Sequence, residues 1–190
     1  MSTPERPADR RNELLSAARA VFAAKGFESA TVAEIVKRAG VAQGTFYLYF
    51  PGKEALAGAF AEIVGERFAE AAAERTARSR SFDGALTRLF DAAYVAADDY
   101  RDVFHVANRG LELLEDMDEW MDRTAPAREW LESFIRAWQE DGAIDARIRP
   151  ALTARVLRDA LDRAAKAYIV FGDRNYGRDL CEMFRRGLSA

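Results

Sequence analysis

The chain has 190 residues, of which 49% are hydrophobic and 31% charged, enough apolar material for a real core. One cysteine, Cys181, excludes an internal disulfide and any multi-cysteine metal site, so no metal or other cofactor is expected. No uncharged apolar run approaches the about 18 residues a membrane span needs, and the N-terminal stretch lacks the apolar region of a secretory signal, so a soluble cytoplasmic protein with no membrane partner is expected. The net charge of -3 hides a split, because residues 1–53 hold eight Lys and Arg against five Asp and Glu, which leaves the excess of acid on the remainder. A basic head on an acidic body is the charge pattern of a nucleic-acid-binding module joined to a protein-facing domain.

Taken in chain order, residues 1–8 are polar, carry two prolines and show no periodicity, which predicts disorder. From about Asp9, the spacing of Leu14, Ala18, Val21 and Phe22 predicts a helix that Gly26 ends. Thr31 is a good N-cap for a second, short helix with Val32, Ile35, Val36 and Ala39 turned inward, and Gly40 supplies the turn after it. A third short helix is expected over 42–48, with Phe46 and Phe50 on one inner face. Pro51 and Gly52 then break the chain before a long helix over 53–78. Further helices are expected near 82–100, 102–116, 126–140, 150–171 and 175–188, with Pro126 and Pro150 suited to first turns. No segment alternates with period two for long enough to read as a strand, so the fold class is all-α.

Two short helices joined by a Gly turn form a helix-turn-helix, whose second helix can enter the major groove of DNA. The outward set on that helix is Gln43, Gly44, Thr45, Tyr47 and Tyr49, with Lys53 just beyond. Gln pairs bidentately with adenine, Gly admits close backbone approach to base edges, and hydroxyls and an ammonium suit phosphate oxygens. Thr31 stands at a helix N-terminus, where free amides favour a phosphate.

The segment closely resembles the DNA-binding region of the tetracycline-repressor (TetR) family. The likeness rests on A-x-x-x-F-x-x-x-G from Ala18 to Gly26, then Thr31, Ile35, A-G-V at 39–41, G-T-F-Y-x-Y-F at 44–50 and K-E-x-L at 53–56. It implies an N-terminal three-helix, homeodomain-like DNA-binding domain at 1–52. A larger helical domain at 53–190 would bind a small-molecule effector and form a homodimer through its last two helices. It also implies that Gln43 and Gly44 face bases, that Thr31, Thr45, Tyr47, Tyr49 and Lys53 hold the backbone, and that Ile35, Val41, Phe46 and Phe50 are core. Two departures stand out: Ala33 replaces a commonly polar DNA-contacting residue, and Gly52 a common Ser or Asn cap.

In the body, Leu152, Val156, Ala160 and Ala164 form one apolar stripe, and Tyr176, Leu180, Met183, Phe184 and Leu188 another; these are the expected dimer surface, although a monomer's own core would use such stripes equally well. Between head and stripes lies an aromatic-rich stretch with Phe90, Tyr94, Phe104, Trp130, Phe134 and Trp138, beside the polar His105 and Asn108. These eight are the candidate effector-binding residues, because an apolar cavity with a few polar groups is the usual small-molecule site. Plain core packing fits the same spacing. A repressor released from a palindromic, double-stranded operator by a small, largely apolar effector is therefore expected, with an effector-free or protein-regulated DNA binder as the alternative. An enzyme is the remote alternative, because no catalytic constellation stands out.

Overall fold

The computed structural model of the chain describes residues 7–107 and 125–189. Among them are eight helices: α1 (Pro7–Ser29), α2 (Val32–Ala39), α3 (Gln43–Tyr47), α4 (Lys53–Thr76), α5 (Phe82–Asp99), α6 (Ala125–Glu140), α7 (Pro150–Phe171) and α8 (Asn175–Leu188). A further helical turn covers 104–107; the rest of the helix expected over 102–116 lies outside the described residues from 108 onward. Residues 1–6 lie outside them too, whereas Pro7 already opens α1, where the N–H that proline lacks would have had no helical acceptor.

Packing divides the described chain into two compact units, 7–62 with 102–107, and 63–101 with 125–189. The long α4 begins at Lys53, but the change of packing partners comes between Glu62 and Ile63.

In the first unit, α1 buries Leu14, Ala18, Val21 and Phe22, the positions its periodicity marks as inward, and Leu15 as well. The helix breaks at Gly26, where φ is 78°. Thr31 then starts α2 with a reciprocal cap. Its hydroxyl accepts from the Glu34 backbone N–H at 3.3 Å, and the Glu34 carboxylate accepts from the Thr31 N–H at 3.0 Å. Gly40, at φ 69°, turns the chain and donates its N–H to the Val36 carbonyl, a left-handed conformation that a side chain would strain. The five-residue α3 has no side-chain cap, and Phe46 anchors it, fully buried with its ring 5.8 Å from that of Phe50. Leu56, Ala57 and Phe60 of α4 complete this core, with Phe60 packed edge-on to Phe22. Val103 and Phe104 are buried in the same unit, and Asp102 beside them receives the Arg19 guanidinium through two bonds of 2.7 Å.

In the second unit α7 contacts α5, α6 and α8, and α8 also meets α5. Leu86 and Leu89 of α5, Leu131 and Ile135 of α6, and Leu157, Leu161 and Ala164 of α7 form its buried centre. The Ser81 hydroxyl caps α5 by accepting from the Gly84 N–H. The Gln139 amide donates to the Asp145 and Ile148 carbonyls and shapes the loop before α7. Asp145 in turn donates its N–H to the Leu188 carbonyl, fixing the end of α8.

The cap on α2 carries a charge dependence. The Lys25 ammonium at 2.6 Å, then the Thr31 hydroxyl and N–H, lower the Glu34 carboxyl from its ordinary 4.5 to about 2. A carboxyl depressed on folding stabilises the native state above its unfolded pKa, and the contribution fades as pH falls toward the folded value. Glu34→Gln is therefore expected to melt below the parent at pH 7, with the gap closing between about pH 4.5 and 2 in thermal unfolding followed by circular dichroism. Thr31→Ala is expected to cost about 1 kcal/mol. A Glu34→Gln deficit unchanged across that acid range would show that the ionised form contributes nothing.

Candidate nucleic-acid interface

The segment 43–50 sorts its side chains by register. Phe46 and Phe50 are buried, Gln43, Gly44, Tyr47 and Leu48 are exposed, and Thr45 and Tyr49 are half-buried. A Cβ built on Gly44 would meet nothing within 4 Å, so the backbone there is open to close approach. Tyr47 is held by its edge-on contact with Phe46, ring centroids 5.4 Å apart. Leu48 is 81% exposed and had no role in the sequence reading. Its signal was nonetheless present: it follows Gly44 by four residues and so shares that face of the helix. Ala33 on α2 is exposed and offers only a methyl group.

Thr31 and Lys53, the other expected backbone contacts, are engaged within the protein. The Thr31 hydroxyl donates to the Glu34 carboxylate at 2.8 Å, so an anion of the chain's own stands at the α2 N-terminus. The Lys53 ammonium donates to the carbonyls of Phe27 and Glu28 at 3.0 Å and of Ala30 at 3.3 Å, and lies 4.8 Å from the centre of the Phe27 ring. A phosphate contact from Lys53 would have to replace one of those bonds.

The basic balance of residues 1–53 changes when the unit is bounded by packing. The described residues of the first unit carry seven Lys and Arg and seven Asp and Glu, because Glu54, Glu62 and Asp102 belong to it. Several of the cations are paired: Arg10 with Glu13, Arg11 with Glu62, Arg19 with Asp102 and Lys25 with Glu34. Lys37 and Arg38, in the last turn of α2, are exposed and have no ion-pair partner among the described residues. In the sequence these two cations add to the basic count of residues 1–53, and only the fold gives them a common place at the end of α2.

The candidate effector residues fall into separate groups. Phe90 and Tyr94 are buried on α5 and line a cleft of about 540 Å³ against α8, with Thr87, Gly177, Cys181 and Arg174 among its other walls. A Cβ on Gly177 would lie 1.9 Å from the Tyr94 hydroxyl oxygen and 3.1 Å from the Ala164 Cβ, so a larger residue there would displace the Tyr94 side chain. Burial pushes both the Tyr94 hydroxyl and the Cys181 thiol up, so the cysteine is an unreactive wall group. The Arg174 guanidinium lies over the rings of Tyr94 and Tyr168 at 4.9 and 4.6 Å. Trp130, Phe134 and Trp138 instead form a row along α6: Trp130 stacks on Phe134, Phe68 meets Trp130, and Phe82 packs against Phe134 and Trp138. Phe104 is buried in the first unit, His105 beside it is exposed, and Asn108 lies outside the described residues.

The expected dimer surface also divides. Leu152, Val156, Tyr176 and Met183 are exposed and Leu180 is half-buried, whereas Ala160, Ala164, Phe184 and Leu188 are buried within their own unit. Val170 and Phe171, at the end of α7, add exposed apolar surface. Of the described residues, no helix is long and apolar enough to cross a membrane.

Residues 14–60 match the model of the tetR family of bacterial regulatory proteins, and residues 86–182 match the tetracyclin repressor-like C-terminal domain. YvdT of Bacillus subtilis, an uncharacterized HTH-type transcriptional regulator, is 27% identical over 167 residues, covering 88% of this chain and 86% of its own. The transcriptional regulator FadR from Bacillus subtilis, solved in complex with stearoyl-CoA, shares the fold with a TM-score of 0.73 at 18% identity, over 93% of this chain and 98% of that one. The ketosteroid transcriptional regulator KstR2 of Mycobacterium tuberculosis does so with a TM-score of 0.61 at 20% identity, over 100% and 97%. With a helix-turn-helix at its start and a helical body behind it, each matched by the corresponding family model, the chain belongs to the TetR family of DNA-binding transcription regulators.

Proposed function

We propose that the chain is a cytoplasmic homodimeric repressor, with no catalytic role, that leaves a palindromic operator when a small, largely apolar effector binds. Residues 1–52 serve as the DNA-binding domain and 53–190 as the dimerisation and effector domain. The carrying observation is the register of α3, which buries Phe46 and leaves Gln43, Gly44 and Tyr47 free to meet a groove. Gln43 and Gly44 face base edges, while Thr45, Tyr47 and Tyr49 hold the backbone. Thr31 and Lys53 act chiefly by bracing the frame, given the bonds they already make.

One recognition helix per chain calls for two chains. The exposed Leu152, Val156, Tyr176 and Met183 support pairing through α7 and α8. A twofold dimer sets its recognition helices about 34–36 Å apart, or a multiple of that, which requires inverted half-sites on one face of the duplex.

For the effector, the relatives of this fold supply an analogy and no more. FadR was solved with stearoyl-CoA and KstR2 is described as a ketosteroid regulator, and both ligand types carry a long or broad apolar portion. The cleft at Phe90 and Tyr94 has a volume within the usual range for small-molecule sites, about 300–1,000 Å³. A second reading, an effector-free or protein-regulated DNA binder, takes the row of Trp130, Phe134 and Trp138, in ring contact with Phe68 and Phe82, as plain core.

Three measurements test this reading. Val156→Glu with Met183→Glu is expected to shift the protein to monomer in sedimentation and to abolish cooperative protection of two half-sites; a dimer that survives both charges places the interface elsewhere. With a duplex selected from a random-sequence library, Gln43→Ala is expected to cost roughly 1–3 kcal/mol and to relax preference at one position per half-site. Lys53→Ala is expected to lower the melting temperature and weaken all sequences alike, with the salt slope unchanged; a slope reduced by about one would establish a phosphate contact after all. Finally, acyl-CoA thioesters and steroids are screened by tryptophan emission, and each hit is titrated against the operator complex. Coupling is reciprocal, so a tenfold loss of DNA affinity must appear as a tenfold loss of ligand affinity on DNA, about 1.4 kcal/mol. Ligands that bind without altering operator affinity leave the effector-free reading standing.

A further inference from the structure

We propose that Leu48 is a specificity-determining contact of the recognition helix, and that it reads the 5-methyl group of a thymine in the major groove. The inference rests on α3 being the DNA-reading helix and adds what one of its residues reads.

Leu48 is the most exposed large apolar side chain among the described residues. Single exposed leucines are ordinary on protein surfaces, so exposure alone decides nothing. Its position does. Among the described residues, six of the eight exposed large hydrophobic residues, Leu152, Val156, Val170, Phe171, Tyr176 and Met183, lie on α7 and α8, the two helices of the proposed pairing. The other two, Tyr47 and Leu48, are adjacent at the end of α3, in a unit whose other large apolar side chains, among its described residues, are buried or half-buried.

The geometry of that helix end is definite. Leu48 keeps right-handed helical angles, φ -71° and ψ -23°, so it continues the register of α3 and shares a face with Gly44 one turn before it. Nothing stands within 4 Å of a Cβ position at Gly44, so the backbone on that side can come close to base edges while the Leu48 side chain reaches ahead of it. Phe46, fully buried, fixes the opposite side and leaves the helix little freedom to roll.

The chemistry then narrows the partner. Leucine has no donor or acceptor, and against a phosphate it would displace water from an anion without replacing a hydrogen bond. Among the groups that base pairs present in the major groove, the thymine 5-methyl is the apolar one. Burying it against Leu48 removes one methyl from water, about 0.8 kcal/mol or a fourfold change in affinity per half-site. Tyr47, clamped edge-on to Phe46, provides a hydroxyl for the backbone beside it and keeps the leucine's neighbour in place.

Replacing thymine by deoxyuridine removes only that methyl, which makes the test selective. A duplex selected by the full-length protein from a random-sequence library is synthesised with thymine, with deoxyuridine throughout, and with single deoxyuridine replacements. Binding of the parent and of Leu48→Ala is followed by fluorescence anisotropy at fixed salt. The parent is expected to lose about fourfold affinity at one thymine per half-site. Leu48→Ala is expected to bind the thymine duplex more weakly by a similar factor, and to treat thymine and uracil alike at that position while keeping the parent's response elsewhere. Thermal melts of both proteins should coincide, because the side chain is exposed. A parent indifferent to every thymine-to-uracil change overturns the proposal, as does a Leu48→Ala protein that keeps the parent's discrimination. Failure of the parent to select or bind any duplex would instead remove the DNA-reading assignment itself.

Discussion

Where α1 breaks at Gly26, the carbonyls of Phe27, Glu28 and Ala30 turn toward one lysine, and that of Phe27 also accepts the Ala30 N–H. The Lys53 ammonium sits among the Phe27, Glu28 and Ala30 oxygens and above the Phe27 ring, which itself rests 5.4 Å from that of Phe22 in the core. A helix end with unsatisfied carbonyls needs such donors or water. Because Lys53 is also the first residue of α4, those bonds fasten the entry to α4 against the turn that precedes Thr31. The α2 cap starts one residue after Ala30, so the two polar arrangements are contiguous in the chain. A five-residue helix is far below the length at which a helix is stable by itself, about 12–15 residues, and α3 has no side-chain cap. It exists because Phe46 and Phe50 are received by a frame that these bonds hold in register.

The second unit solves a different problem, which is to build a core and still keep apolar surface to spare. Both tasks fall on α7. Ala154, Leu157, Leu161, Ala164 and Ala165 are buried along one side, and Leu152 and Val156 remain exposed on another. On α8, Gly177, Cys181, Phe184 and Leu188 point inward at spacings of three and four, while Tyr176 and Met183 stay in solvent. The small residues lie on the inner face, where α5 and α6 approach. That explains why Ala160 and Ala164, which suit close approach of any helix, serve their own unit.

How much of this the sequence disclosed depends on the range of the interaction. Thr31, Gly40 and Phe46 act on neighbours within a few residues, so their types and spacing announced the helix-turn-helix and its inward face. The first turn at Pro150 was legible for the same reason, and so was Gly26, although it breaks α1 short of its end at Ser29. Lys53 was not, because its acceptors are backbone carbonyls 23 to 26 residues away that any sequence would supply. The four-residue spacing of Trp130, Phe134 and Trp138 correctly marked one face of a helix, but pattern alone could not reveal that Phe68 and Phe82 are the rings that face meets. Likewise Phe90 and Phe104 look alike in a list of aromatics, and only packing assigns them to different units.

Charge shows the same limit and bears on mechanism. A basic head appeared from counting residues 1–53, yet the packed unit is balanced, seven cations against seven anions among its described residues. Long-range steering of such a unit toward a polyanion is weak, because fields from paired charges cancel within about a Debye length. What remains is local: Lys37 and Arg38 stand unpaired among the described residues, and the face of α3 offers an amide, hydroxyls, an open backbone and apolar carbon. Discrimination between sequences therefore has to come from contacts of a few ångströms with base edges, which depend on the exact placement of α3. That placement is what the bonds of Lys53, Thr31 and Glu34 secure, so in this head these side chains organise the frame that carries α3.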